Sequence, residues 1–222
     1  MESIEIIRNS ILGANVAISV CAVVASIVVN IFGDDLRAML RRPALVITLP
    51  DLKGEWTIIR DKKNTVVDRA IYFHAVVMNK KPARIALDTE LFLVECSVTP
   101  VGQTPKNQPM PCPLPIQARR RFNGIRHDRV NIGVTPYAYD LFRCRENSKR
   151  LKVLLNGDYP NNLKPWITGA GELQFVIEAR ATNAKSQRTR LTIKWDGHFP
   201  DESEGLGDHF QIHHSSYDQP IS

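Results

Sequence analysis

Five arginines stand close together in the middle of the chain, and they are the residues best suited to hold a charged ligand. They lie within residues 119–129, where the only acidic residue is Asp128 and Phe122 follows the first three arginines. Such groups attract anionic lipid headgroups at about 1 kcal/mol per basic residue, or nucleotide and nucleic-acid phosphates beside a stacking ring. The sequence therefore predicts a phosphate or anionic-lipid site, with a solvated loop as the alternative, formed by Arg119, Arg120, Arg121, Phe122, Arg126 and Arg129.

Histidines and cysteines are the other residues that could do chemistry, and their spacing favours structural roles. His209, His213 and His214 follow one another near the end of the chain, but no capping or apolar period indicates a rigid helix for them there. Cys96 and Cys144 fall in strand patterns, where a cysteine is usually a small buried hydrophobic residue. We expect no metal site and no cofactor.

Catalytic motifs are missing from the sequence. It contains no Gly-x-Ser-x-Gly elbow, no Walker loop, no Gly-x-Gly-x-x-Gly and no His-Glu-x-x-His. His74 lies in an apolar strand pattern and is expected to be a structural residue with its hydrogen bonds satisfied. These observations favour a protein that binds rather than an enzyme.

The most distinctive element is an uncharged stretch at residues 11–32, which follows a short N-terminal segment at residues 1–10. As a helix it would be about 33 Å long, enough to cross a bilayer core of about 30 Å. A cleaved signal peptide is disfavoured because the preceding residues are not basic and the apolar run continues past the small residues. We expect an uncleaved transmembrane helix.

Flanking charges predict the orientation of this helix. Arg8 precedes it alone, whereas Arg37, Arg41 and Arg42 follow it, and basic residues tend to stay on the cytoplasmic side. An odd number of thiols outside the helix, three, agrees with a reducing compartment. The protein is thus expected in the inner membrane as a single-pass protein with a cytoplasmic C-terminal domain, joined through a basic linker at residues 33–43.

Polar and small residues of the predicted helix fall on one face. They are spaced three or four residues apart, which is typical of helices that associate through hydrogen bonds and close backbone contact. Simple anchoring and a polar-lined pore are the alternatives. The face predicted to form a homo-oligomer consists of Asn15, Ser19, Ala22, Ser26 and Asn30.

Residues 44–197 show the two-residue alternation of β-strands. Leu173, Phe175 and Ile177 alternate with polar residues, and residues 190–195 repeat the pattern after a predicted hairpin loop at residues 183–187. Further strands are predicted at residues 46–49, 66–78, 85–98, 137–144 and 151–155, with a second hairpin joining 66–78 to 85–98. The proline-rich residues 105–115 should be extended and lie at an edge. This pattern predicts a mainly β protein, an immunoglobulin-like antiparallel β-sandwich, with a small barrel as the alternative.

Three segments of this domain resemble those of bacterial membrane-anchored β-sandwich proteins to which no activity is assigned. They are residues 74–91, with an Asn-centred turn, residues 131–142 and residues 171–184. The resemblance covers most of residues 44–197. It implies the sandwich fold and transfers no catalytic residue.

Charge is segregated along the chain. The net charge of the chain is +6. Residues 196–222 contain six acidic residues and no Lys or Arg. Residues 1–195 therefore carry 29 basic and 17 acidic residues, a net charge of +12. Residues 198–222 are predicted to be an acidic flexible tail, and a sharper hypothesis places this tail over the basic loop.

Two functions fit these predictions. The first is a membrane-anchored, non-enzymatic binding or adaptor protein, with a protein partner that the sequence does not identify, whose copies associate through the transmembrane helix. The second is a membrane-perturbing effector of a bacterial defence system, in which ligand binding to the sandwich rearranges the helices. An anionic lipid or a nucleotide is the expected ligand in either case.

Overall fold

The structure is a computed structural model, and it describes residues 21–24, 26, 33, 42–49, 54–81, 83–119, 129–201 and 205–217. The chain divides into two compact units, Met1–Arg42 and Pro43–Ser222. In the first unit, residues 21–24, 26 and 33 are helical. No helix among the described residues has both the length and the apolar character needed to cross a bilayer. Of the predicted association face, Ala22 and Ser26 lie in this helical part, while Asn15, Ser19 and Asn30 lie outside the described residues.

The described part of the second unit is built almost entirely from β-strands. They are β1 Leu45–Thr48, β2 Glu55–Arg60, β3 Val66–Asn79, β4 Ala86–Pro100, β5 Lys106–Asn107, β6 Leu114–Pro115, β7 Val130–Ile132, β8 Tyr137–Arg145, β9 Arg150–Val153, β10 Trp166–Thr168, β11 Gly171–Ala181, β12 Ala184–Trp195 and β13 Phe210–Ser216, with one short helix, α1, at Leu206–His209.

These strands form two sheets, and all the pairings between named strands are antiparallel. The first sheet has the order β1-β3-β8-β9-β10, with β2 also paired to β3. β1 pairs with residues 76–79 and β2 with residues 66–72, so these two short strands follow each other along one edge of β3. The second sheet has the order β13-β12-β11-β4, and three short strands, β5, β6 and β7, pair with the other edge of β4.

Apolar side chains of the two sheets pack against each other and form the core. Phe142 of the first sheet stacks on Phe73 with ring centroids 4.4 Å apart, and it contacts Phe175 of the second sheet edge-on at 6.3 Å. Along β11, Leu173, Phe175 and Ile177 are fully buried. Every second residue of a strand faces the same side, so the core-facing positions of β11 give the sequence its period of two. A mainly β, antiparallel fold is therefore confirmed.

The predicted hairpin between residues 66–78 and 85–98 is wrong. Both segments are strands, β3 and β4, but they belong to different sheets. Buried Asn79 organises the connection, because its side chain accepts hydrogen bonds from the backbone of Ala44 and Lys81 and donates to the carbonyl of Arg84. These bonds turn the chain across the sandwich instead of back along β3.

The second predicted hairpin exists, but its loop is shorter than expected. The turn between β11 and β12 consists of residues 182–183, and Ala184 already pairs with Ala181. Polar residues at 185–187 suggested a loop, although they lie in the exposed end of a strand. Six strands were not predicted: β2, β5, β6, β7, β10 and β13. Their short or irregular patterns give little local signal.

The prediction of a flexible tail is wrong for residues 205–217. This segment forms α1 and β13, and β13 pairs with β12 from Phe210 to Ser216. Phe210 is buried and stacks on Trp195 at 6.0 Å, which explains why the strand docks there. β13 forms the edge of the second sheet opposite to β7, which directly follows Arg129. The described part of the tail therefore stabilises a sheet edge and does not cover Arg129.

Candidate functional site

Polar side chains converge in an open depression on the outer face of the first sheet. Its volume is about 540 Å³, and residues from β2, β3, β8 and the segment before β7 contribute to it. The lining residues are Glu55, Thr57, Tyr72, His74, Gln117, Arg119 and Asp140.

A close approach between β2 and β3 positions Glu55. Gly54, which precedes it, has φ +64°, and a Cβ atom at this glycine would lie 2.6 Å from the side chain of Ile71. Only glycine fits such a left-handed position against a neighbouring strand. The first residue of β2 is thereby held beside Tyr72, its direct partner on β3.

A β-bulge places Asp140 opposite His74. Phe73 pairs with Phe142, but the next residue, His74, pairs with Asp140, so Leu141 is an extra residue in β8. Leu141 and Phe142 are both buried in the core, whereas Asp140 turns to the outer face. Bulges commonly redirect a side chain in this way, and they are frequent next to functional sites.

Residues 116–119 bring the last two polar groups to the depression. The amide of Arg119 donates to the carbonyl of Ala138, and the amide of Asp140 donates to the carbonyl of Gln117 at 2.9 Å. The segment thus runs along the part of β8 that β9 leaves free. In this position the side chain of Gln117 donates to Oδ2 of Asp140 at 2.9 Å.

The imidazole of His74 lies between two carboxylates. Its Nε2 atom is 3.1 Å from Oε2 of Glu55, and its Nδ1 atom is 3.1 Å from Oδ1 of Asp140. The Nδ1 contact has ion-pair distance without hydrogen-bond geometry, and this atom has no hydrogen-bond partner among the described residues. Arg119 donates to the same Oε2 of Glu55. His74 was expected to be a structural residue with all its hydrogen bonds made. It instead lies at the centre of a charged cluster, and its Nδ1 atom makes no hydrogen bond to any described residue.

This arrangement can hold a ligand through hydrogen bonds and charge. A neutral imidazole carries one N–H and can donate to only one of the two carboxylates, whereas the imidazolium can donate to both. The lining residues include no serine or cysteine beside His74 that it could activate. No group of three His, Cys, Asp or Glu residues in the described part of the chain could hold a metal ion. The depression offers donors and acceptors on a wide, shallow surface.

The predicted arginine site is described only at its two ends. Arg119 pairs with Glu55 in the depression, and Nε of Arg129 lies 3.4 Å from Oε2 of Glu90. The neighbouring residues of Arg119 pair with the first sheet, while those of Arg129 pair with the second. The remaining residues of the predicted site, Arg120, Arg121, Phe122 and Arg126, lie outside the described residues.

The cysteines and the tail histidines have structural environments. Burial raises the pKa of the Cys96 and Cys144 thiols to about 12, so both are protonated at neutral pH. His209 contacts Asp196, with its Nδ1 atom 2.7 Å from Oδ2, and its ring packs on His198. His213 and His214 follow each other on β13, so their side chains point to opposite faces.

Glu55, Gln117 and Asp140 were not recognised from the sequence. They are far from His74 along the chain, and each occupies an ordinary position in its own segment. The comparisons with known proteins do not add a relative, because no protein-family model, curated protein or solved structure matches this chain.

Proposed function

We propose that the chain is a membrane-anchored, non-enzymatic binding or adaptor protein. In this proposal residues 11–32 form the transmembrane helix, the β-domain faces the cytoplasm, and copies associate through Asn15, Ser19, Ala22, Ser26 and Asn30. The uncharged length of residues 11–32 and the basic residues that follow them support this organisation.

The depression around His74 is the observation that carries the proposal of a binding role. Charged and amide groups from four separate segments meet there. Phe142 and Cys144 are buried, and strict alternation along β8 would turn Asp140 to the core as well. The bulge at Leu141 turns Asp140 to the outer face instead. A sheet face that served only as a solvated surface would not require this irregularity. The open shape suits the surface of a partner better than a small enclosed substrate.

The strand arrangement supports the immunoglobulin-like class of sandwich, with one rearrangement. β1 beside β3, the crossing from β3 to β4, and β11 between β4 and β12 correspond to strands A, B, C, F and G of that fold. In immunoglobulin domains the edge strand D precedes the inner strand E. Here the inner strand β8 precedes β9, so we propose an immunoglobulin-like sandwich with this order exchanged.

Site-specific photo-crosslinking in bacterial cells tests the binding role. A photoreactive residue replaces Thr57 in the depression or, as a matched control, Thr192 on the outer face of the second sheet. We expect a crosslinked partner from position 57 only, and its loss when Asp140→Asn is added. Equal crosslinking from both positions, or none from position 57, would contradict the proposal.

The same cells test the anchor and separate the adaptor from the effector. We expect the protein in the membrane fraction, a crosslinked oligomer that weakens with Asn15→Leu or Asn30→Leu, and an unchanged membrane potential during overexpression. A collapse of the potential that these two substitutions prevent would instead favour the effector.

A further inference from the structure

A row of side chains crosses the outer face of the first sheet next to the depression. The strand register pairs Glu55 with Tyr72, Tyr72 with Arg143, Arg143 with Lys152, and Lys152 with Trp166. All five side chains are on the same face, because directly paired residues point the same way. Two cations thus stand directly opposite each other in the middle of the sheet.

Arg150 adds a third cation to this place. It lies two residues before Lys152 on β9, and therefore on the same face, and its direct partner on β8 is another arginine, Arg145. Arg145 pairs with the buried carboxylate of Asp68. Arg143, Arg150 and Lys152, which we call the cation cluster, have no carboxylate of any described residue within 4 Å.

Aromatic rings hold the cation cluster in place without neutralising it. Nζ of Lys152 lies 3.7 Å from the ring centroid of Tyr159, and Arg150 lies over Trp166 at 5.2 Å. Arg143 donates to the hydroxyl of Tyr72 at 3.1 Å. A ring attracts a cation through its quadrupole but supplies no negative charge, so the three like charges still repel each other.

The ammonium group of Lys152 responds to this repulsion. Its burial, followed by the charges of Arg143 and Arg150, lowers its pKa below the ordinary value for a lysine. Like charges in direct cross-strand positions destabilise a sheet, and an opposite charge bound between them removes that effect. The three cations of the cluster are thus arranged so that one anion bound between them would relieve their repulsion.

We propose that Arg143, Arg150 and Lys152 bind a phosphate group, supplied either by a soluble phosphorylated molecule or by a lipid headgroup. The planar forks of two arginines match phosphate oxygens with paired hydrogen bonds, and the lysine adds a compact charge between them. This proposal goes beyond the proposed function, because it names a ligand chemistry and a site that depend neither on the anchor nor on the depression around His74.

Calorimetric titration of the full-length protein in a neutral detergent, with inorganic pyrophosphate as the probe, tests the site. We expect saturable binding that weakens as salt is raised, and a loss of affinity of about tenfold in Lys152→Gln and in Arg143→Gln, the loss expected for one charged contact. Arg190→Gln is the matched control, since it removes a cation from the outer face of the second sheet, and its affinity should stay at the wild-type value.

Exposed Arg150 provides a variant that leaves the packing of the sheet intact. Arg150→Gln should lose affinity by a similar factor while its thermal unfolding matches that of the wild type, so a folding defect cannot account for the loss. The absence of binding at millimolar pyrophosphate, or an equal loss in Arg190→Gln, would overturn the proposal. If the protein without Asp140→Asn gives no partner crosslink from position 57 but binds pyrophosphate, the binding role around His74 is rejected and the phosphate site is not.

Competition distinguishes the two sources of phosphate. Phosphatidic acid is added to the detergent micelles during the pyrophosphate titration, with phosphatidylcholine as the control. If phosphatidic acid displaces pyrophosphate at concentrations below that of pyrophosphate, the site is assigned to a lipid headgroup. If pyrophosphate binds more tightly than phosphatidic acid, the site is assigned to a soluble ligand.

Discussion

The outer faces of the two sheets carry similar numbers of arginines and lysines but arrange them in opposite ways. On the second sheet, Arg188 and Lys194 stand directly opposite Glu178 and Glu172. On the first sheet, Arg143 stands directly opposite Lys152. Opposite charges in these positions stabilise a sheet and like charges destabilise it. Charges on the outer face of the second sheet thus neutralise each other, whereas the outer face of the first sheet has positive charge that a ligand could neutralise.

Burial strengthens the contrast. Glu178 is buried between Arg180 and Arg188, with its carboxylate 2.8 and 3.2 Å from their guanidinium groups. Lys152 and Trp166, by comparison, are half-buried beside exposed Arg150. A structural ion pair is shielded from solvent, while a binding site has to remain accessible.

Reversing the charge of Glu178 should have the largest effect. Glu178→Lys would place a third cation beside Arg180 and Arg188 in a buried position, and we expect a loss of about 3–5 kcal/mol in the free energy of unfolding. Chemical denaturation followed by tryptophan fluorescence measures this loss. Glu178→Gln is the control and should lose less, about 1–3 kcal/mol. A Glu178→Lys protein as stable as the wild type would show that the ion pairs of the second sheet are dispensable.

Acid should remove the contribution of Glu178 in a defined pH range. Burial alone would raise the pKa of this carboxyl, but hydrogen bonds from Arg180 and Ser186 and the charges of Arg180 and Arg188 outweigh burial and lower it. The folded protein then binds this proton less readily than the unfolded chain, whose glutamates titrate at about pH 4.3. The stabilisation is complete above that pH and is lost as the pH falls through the lower, folded pKa.

Denaturation curves collected at a series of acidic pH values measure this dependence. We expect the wild type to lose more stability than Glu178→Gln over this range, because only the wild type carries the carboxyl whose pKa is lowered by folding. Glu146 and Asp196, whose pKa values are also lowered, remain in both proteins and serve as the internal control. Parallel pH profiles would contradict the prediction.

The same kind of reversal on the first sheet should have the opposite sign. Lys152→Glu places a carboxylate opposite Arg143 and next to Arg150, and we expect a gain of about 0.5–1 kcal/mol in the free energy of unfolding, together with the loss of pyrophosphate binding. Lys152→Gln, which removes the charge without reversing it, should fall between the two proteins in stability. A destabilised Lys152→Glu protein would show that contact with Tyr159 matters more than repulsion.

The smallest effect is expected at the exposed end of the second sheet. Lys194 lies 3.8 Å from Glu172 and is mostly in solvent, so Glu172→Gln should change the free energy of unfolding by about 0.5 kcal/mol or less. High salt should abolish even this difference. A larger change would mean that surface pairs, and not only the buried pair at Glu178, stabilise the second face.

Local sequence patterns predicted the five longest strands, β3, β4, β8, β11 and β12, but only one of the two predicted hairpins exists. The alternation of Leu173, Phe175 and Ile177 needs only one buried face, and β11 forms where that pattern predicted it. Whether β3 pairs with β4 depends on Asn79, whose side chain bonds to residues as distant as Ala44. Such long-range bonds leave no periodic trace in the sequence.

The candidate sites show the same limit. His74 contacts Glu55, 19 residues earlier, and also Asp140. The contact with Asp140 depends on the extra residue Leu141, which no sequence pattern predicted. The cation cluster escaped attention for a different reason. Arg143 and Lys152 alternate with buried residues, as in any half-exposed strand, and only the register of β8 with β9 reveals that like charges face each other.

The strands along β4 also bear on how copies of this protein can meet. A strand of fifteen residues with a free edge would offer its backbone N–H and C=O groups to another chain and promote uncontrolled aggregation. Here β5, β6 and β7 occupy that edge, and each has only two or three residues. The proline-rich connection between β5 and β6 cannot supply a continuous row of donors for a further strand, since proline lacks the N–H. An orderly association of several copies must therefore use surfaces other than this edge.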